Sequence, residues 1–147
     1  MTTDDDSVLA RTLQLRAAGP SHPLIRFRTR RFDLADEPDN PINPIHGWSL
    51  LEWLRTQPPL GATLSETAAE DWGWYAIATV DGRCYLIGAS AEESTDGNHA
   101  WTVLIDKQRS LWEKLLGRAR MTADDACFRW LCDAVAREPQ FTDLSAE

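Results

Sequence analysis

Two acids and three large aromatics occupy six consecutive residues, Glu70-Asp71-Trp72-Gly73-Trp74-Tyr75, with Glu66 just upstream. A carboxyl held against indole rings is desolvated. Its pKa rises, and it can give or take a proton near neutrality. Catalysis needs a second role filled, and no neighbouring residue fills one. An acid pair alone suits glycoside hydrolysis, but that reaction depends on a separation between carboxylates that spacing along the chain does not supply. The plainer reading is that Glu70 and Asp71 cap a turn or pair with arginines elsewhere in the chain.

Other constellations carry less. His22, His46 and His99 are isolated, with no H-x-x-x-H or H-E-x-x-H spacing and no cysteine at ligand distance, so neither a metal nor any other cofactor is indicated. His46, in Ile45-His46-Gly47-Trp48, stands just ahead of a helix and could line a cleft with Trp48. Asp33, Asp36, Glu37 and Asp39 resemble a calcium loop in composition only, without the central glycine and terminal glutamate. Cys84, Cys127 and Cys132 are an odd number without a C-x-x-C pair and read as reduced, mostly buried small hydrophobes. The G-x-S-x-G, P-loop and G-x-G-x-x-G patterns are absent. No catalytic residue is assigned, and the chain leans away from being an enzyme.

Charge is distributed in blocks. The total is -8, with -3 over residues 1 to 6, +6 over 7 to 32, -11 over 33 to 106, +4 over 107 to 120 and -4 over 121 to 147. The acidic middle repels a phosphate backbone and attracts a basic protein. Arg26, Arg28 and Arg30 form a row, and with Lys107, Arg109, Lys114, Arg118 and Arg120 they could bind phosphate or nucleic acid, with Phe27 and Trp112 interleaved. That reading requires the two basic blocks to meet in space, which makes nucleic acid an unlikely partner.

The elements that must position these groups are legible in part. Gly19-Pro20 closes a possible helix or strand over residues 8 to 18, and the acidic residues 1 to 7 read as a flexible start. From Pro23, Ile25 and Phe27 alternate with the arginines in the period of a half-exposed strand, extending toward Phe32 and Leu34. Three prolines within residues 38 to 44 read as an exposed loop. Residues 47 to 57 form a helix through Leu50, Leu51 and Leu54. Asp81-Gly82 links two β-rich runs, residues 72 to 80 and 83 to 90, as a type I′ hairpin. That link pairs Val80 with Arg83, Ala78 with Tyr85, Ala76 with Ile87 and Trp74 with Ala89 on one face, and Ile77 with Leu86 and Tyr75 with Gly88 on the other. Both faces are apolar enough to be covered. Residues 101 to 105 add a third antiparallel strand. Ser110 and Glu113 make a capping box before a short helix ended by Gly117, and Thr122 caps a last helix whose stripe is Phe128, Leu131, Cys132 and Val135.

At 147 residues the chain fits one α+β domain: an antiparallel sheet of three to four strands with about three helices, the last two C-terminal. The first residues lack the basic and apolar regions of a signal peptide and no apolar run is long enough to span a bilayer, so the expectation is a cytoplasmic protein without membrane contact. In size, acidity and aromatic content it resembles small bacterial proteins, and more loosely the immunity proteins that neutralise secreted toxins. This is a resemblance of type that carries no residue across. It implies a non-enzymatic binder for a basic protein partner, with Glu70, Asp71, Trp72, Trp74, Glu92, Glu93 and Asp96 as the contact surface. The rival is a small-molecule site between the sheet and the helix from Gly47, lined by His46, Trp48, Glu70, Asp71, Trp72 and Trp74.

Overall fold

The computed structural model describes residues 11, 24–57, 63–122 and 124–146. The expectations for residues 1 to 7, residues 8 to 18 and His22 fall outside or almost wholly outside that set. The sheet has seven antiparallel strands: β1 (Leu24–Thr29), β2 (Thr63–Leu64), β3 (Ala68–Glu70), β4 (Gly73–Val80), β5 (Arg83–Glu92), β6 (His99–Lys107) and β7 (Thr142–Ala146). Their order is β2-β4-β5-β6-β1-β7, with β3 continuing the β2 edge along β4. Among the described residues three whole α-helices accompany it: α1 (Trp48–Leu54), α2 (Leu111–Leu115) and α3 (Ala126–Arg137).

The α+β class holds, and the strand count exceeds the three or four expected. The hairpin falls in the expected register, from Trp74 opposite Ala89 to Val80 opposite Arg83. Asp81 and Gly82 both have positive φ, 50° and 77°, as a type I′ turn requires. The additional strands are short or at the edge. β2 and β3 contribute five residues between them, and β7 is the polar stretch Thr142-Asp143-Leu144-Ser145-Ala146. Such segments are held by the strand they pair with rather than by their own preference. β1 stops at Thr29, short of the possible extension through Phe32 and Leu34.

Alternate residues of the long strands, among them Ile25, Phe27, Ala76, Ala78, Ile87, Val103 and Ile105, are buried in one cluster with Leu50, Leu51, Leu54, Phe128, Leu131 and Val135. Helices α1 and α3 therefore cover this face. Phe27 stacks on Phe141 at 4.2 Å between ring centroids, and Phe32 and Trp53 close around Phe141. The other face was also expected to be covered. There Tyr75, Ile77, Leu86 and Leu104 are only half-buried. The last helix begins at Ala126 with Asp125 as its cap residue, not at Thr122; Thr122 instead accepts the Asp125 N–H through its carbonyl.

Candidate functional site

The proline-rich loop does more than connect. Asn40 Nδ2 donates to the carbonyls of Glu70 and Gly73, each at 3.0 Å, while its Oδ1 accepts from Ile42 and Asn43 N–H at 2.9 and 3.1 Å. Asn43 Nδ2 donates to the Asp71 carbonyl at 2.7 Å. The loop is thus stapled over the β3–β4 turn through backbone carbonyls. This leaves the carboxylates of Glu70 and Asp71 neither capping that turn nor ion-paired with the arginine row among the described residues.

Glu37, at the end of a short 3-10 turn (Leu34–Asp36), reaches the start of α1. Its side chain is 0% exposed, and it accepts Gly47 N–H at 3.0 Å and Ser49 N–H at 2.7 Å, with His46 Nδ1 at 3.2 Å from the same Oε1. A carboxylate at a helix start satisfies orphan N–H groups and meets the positive end of the helix dipole. Sequence reading missed this residue, because nothing at a ten-residue distance marks the pairing. The Glu37–His46 pair supplies the orienting half of a base arrangement. No serine or cysteine completes it among the described residues, so its demonstrated task is to hold the helix entry. Glu37→Gln places an amide N–H against at least one of these donors, and an expected loss of about 2 kcal/mol should appear as a lower urea midpoint at unchanged slope.

The predicted site residues gather at one end of the sheet, but not as one surface. Trp74 is 6% exposed and belongs to the core, its Nε1 donating to the Ile45 carbonyl at 3.1 Å. This corrects its assignment to the contact surface. Trp72 lies instead over the open face, where a methyl on Gly88 would come within 2.6 Å of its ring. Glu70 is half-buried; Asp71, Glu92, Glu93 and Asp96 are exposed. His46 and Trp48 are half-buried. The cleft in this region opens on the sheet face away from α1, with a volume of about 530 Å³, and is walled by Trp72, Ser90, Glu92, Arg26, Arg28 and Asp143 among others. Neither His46 nor Trp48 lines it, so it is a different cleft from the one between sheet and helix that the sequence suggested.

The arginine row is exposed as expected, and Arg28 and Arg30 bond the loop that follows β5. Arg28 donates to Ser94 Oγ and to the Asn98 carbonyl, and Arg30 bonds the Asp96 carbonyl and lies 3.7 Å from its carboxylate. His99 is buried, and its Nδ1 accepts the Ser94 N–H at 3.0 Å. These bonds pin the 93–98 loop onto β1 and β6.

At the far end of the strands stands a second network. Tyr85 Oη and Lys107 Nζ each donate to Asp125 Oδ1 at 2.8 Å, and Arg83 makes a two-pronged pair with Glu113 at 2.9 Å. Burial works to raise the Asp125 carboxyl, but hydrogen bonds from Lys107, the Thr122 backbone and Tyr85 together hold it below the usual range. The hydrogen bond from Arg83 draws Glu113 down to about 2. Burial pushes the Cys127 thiol up to about 12, which makes it unreactive as a nucleophile. All three cysteines are unbridged.

Among the described residues no three metal-ligating side chains converge, and no helix is long and apolar enough to cross a membrane. Comparison with protein-family models, with curated proteins and with solved structures returns no match for this chain. Its function must therefore be argued from its own side chains.

Proposed function

We propose that this chain is a non-enzymatic binding domain, immunity- or inhibitor-like in kind, whose acidic sheet end engages a basic segment of another protein. What carries the reading is that Glu70, Asp71, Glu92 and Glu93 come from separate chain segments to the same end of the sheet, and none has an ion pair among the described residues. Unpaired acids grouped in this way repel one another and favour a cationic partner. Trp72, half-buried beside Glu92 in an open cleft, supplies the aromatic anchor that a surface of acids alone would lack. The surface is narrower than the sequence suggested: Trp74 is in the core and Asp96 is engaged by Arg30.

A second reading has one specific support, the cleft itself. Its volume falls within the range of small-molecule sites, and Arg26, Arg28, Glu92 and Asp143 line it with both signs of charge. The placement of the basic residues gives nucleic-acid binding no support. The row of Arg26, Arg28 and Arg30 runs toward the acidic end of the sheet, whereas residues 107 to 120 follow the opposite end of β6.

The test is a pull-down from lysate of the native organism with wild type, Asp71→Asn/Glu92→Gln and Trp72→Ala side by side. We expect one basic protein retained by wild type and bound about tenfold more weakly by the charge variant at low salt, the difference shrinking as salt rises. Equal retention by all three would remove the acidic-surface reading and turn attention to ligands of the cleft.

A further inference from the structure

Helix α2 is turned inside out. Among the described residues, five large apolar side chains are more than half exposed, and four of them are Leu111 (72%), Trp112 (72%), Leu115 (68%) and Leu116 (58%). At 100° per residue these four cover an arc of roughly 140° on one side of a single helical turn. The polar side faces the body of the protein. Glu113 completes the capping box with Ser110 and receives both prongs of Arg83, and Gln108 N–H bonds the Cys84 carbonyl. Helix–sheet contacts ordinarily run the other way, with apolar side chains inward and charges in water. Here a bidentate ion pair and a cap fasten the turn so that its apolar arc projects.

Cations flank that arc. Arg109 precedes the helix, Lys114 lies within it, and Arg118 and Arg120 follow. Of the acids at this end of the strands, Glu113 is matched by Arg83 and Asp125 by Lys107, and Asp81, Asp106 and Asp124 are exposed acids beside the cations. The acidic end of the sheet is remote. Arg83 and Glu92 are the first and last residues of β5. At the rise of an extended strand they stand about 30 Å apart, several Debye lengths at physiological salt, so the net charge of the whole chain says little about the potential at α2.

We propose that α2 and its basic flanks form a docking surface for an anionic lipid headgroup layer, with Leu111, Trp112, Leu115 and Leu116 entering the interface and Arg109, Lys114, Arg118 and Arg120 meeting the lipid phosphates. Leucine with tryptophan on one side and lysine with arginine around it is the composition that partitions into the headgroup and acyl boundary, each nearby cation adding about fivefold to binding. A protein groove that receives a helix uses anchors at i, i+3, i+4 and i+7 over two turns or more, and α2 offers one turn. A bilayer imposes no such register. A second copy of the chain would bring these cations against themselves. The surface departs from the expectation of no membrane contact, which rested on the absence of a spanning segment. It uses residues at the opposite end of the molecule from the acidic site and stands independently of the proposed binding function.

The experiment is cosedimentation of the full chain with vesicles of phosphatidylcholine alone and with 30 mole per cent phosphatidylglycerol, at 50 and 500 mM salt. Wild type should partition at least tenfold more strongly into the anionic vesicles at low salt and lose most of that at high salt. Trp112→Ala/Leu115→Ser and Lys114→Glu/Arg118→Glu should each reduce binding tenfold or more, with thermal midpoints unchanged because these side chains lie in water. No partitioning at low salt, equal partitioning into both vesicle types, or equal binding by the variants would overturn the proposal. So would a wild-type dimer in light scattering, or a captured acidic protein, that the Trp112→Ala/Leu115→Ser variant abolishes while vesicle binding is absent.

Discussion

Gly47→Ala should destabilise the protein by about 4 kcal/mol and lower its thermal midpoint by about 12 °C, a large effect for one added methyl. The cause is contact, since Gly47 has φ 164°, an extended value open to any residue. A Cβ at Gly47 would lie 2.7 Å from the Ala89 carbonyl carbon, closer still to its oxygen, and 3.3 Å from Ser90 Cα. All three are backbone atoms of β5, which is locked between β4 and β6 and cannot give way. The helix entry must move instead. Moving it strains the Glu37 bonds to Gly47 and Ser49 and the bridge in which Ala91 N–H bonds the His46 carbonyl at 2.9 Å. Gly82→Ala is the control: nothing lies within 4 Å of its new methyl, and only the strain of φ 77° remains, about 1 kcal/mol. Urea denaturation of both variants separates the two causes, and equal midpoints would show that the close approach to β5 is not what holds Gly47.

The same close approach explains why part of the site was legible in the sequence and part was not. The hairpin register came through correctly because Asp81-Gly82 is a local signal and strand parity propagates it. That parity also places Trp72 and Trp74 on one face. The chain breaks the rule at Gly73, whose φ of 149° lets the backbone press on the Ala89 carbonyl and sends Trp72 to the open face over Gly88, while Trp74 enters the core. Period-2 reasoning assumes a regular strand and cannot foresee the irregular residue. The Glu37 cap and the Asn40 staples were illegible for a different reason. They join a loop with three prolines to distant backbone groups, and no periodicity encodes such a bond. The exposed arc of α2 was hidden because the sequence shows an amphipathic turn with a capping box without saying which side Arg83 will claim.

Leu131→Ala should cost about 2–5 kcal/mol, whereas Leu111→Ala, the same change on α2, should cost nearly nothing. Leu131 is 0% exposed in the stripe with Phe128, Cys132 and Val135, all equally buried, whereas Leu111 is 72% exposed. Removing three carbons from the first site loses their transfer out of water and leaves a cavity. The walls that would have to close it belong to the buried cluster that α3 shares with α1 and the sheet. Closure of such walls is incomplete, which is why the cost exceeds simple transfer. Removing the same atoms from Leu111 takes apolar surface out of water and opens no cavity. The comparison therefore tests two assignments at once. A Leu131→Ala midpoint equal to wild type would mean that α3 is not the wall of this core. A Leu111→Ala variant as unstable as Leu131→Ala would mean that the α2 arc is covered by the fold and unavailable to any partner. With the expected pair of results, Leu131 of α3 contributes to stability, and the leucines of α2, which do not, are left free to serve contact with something outside the chain.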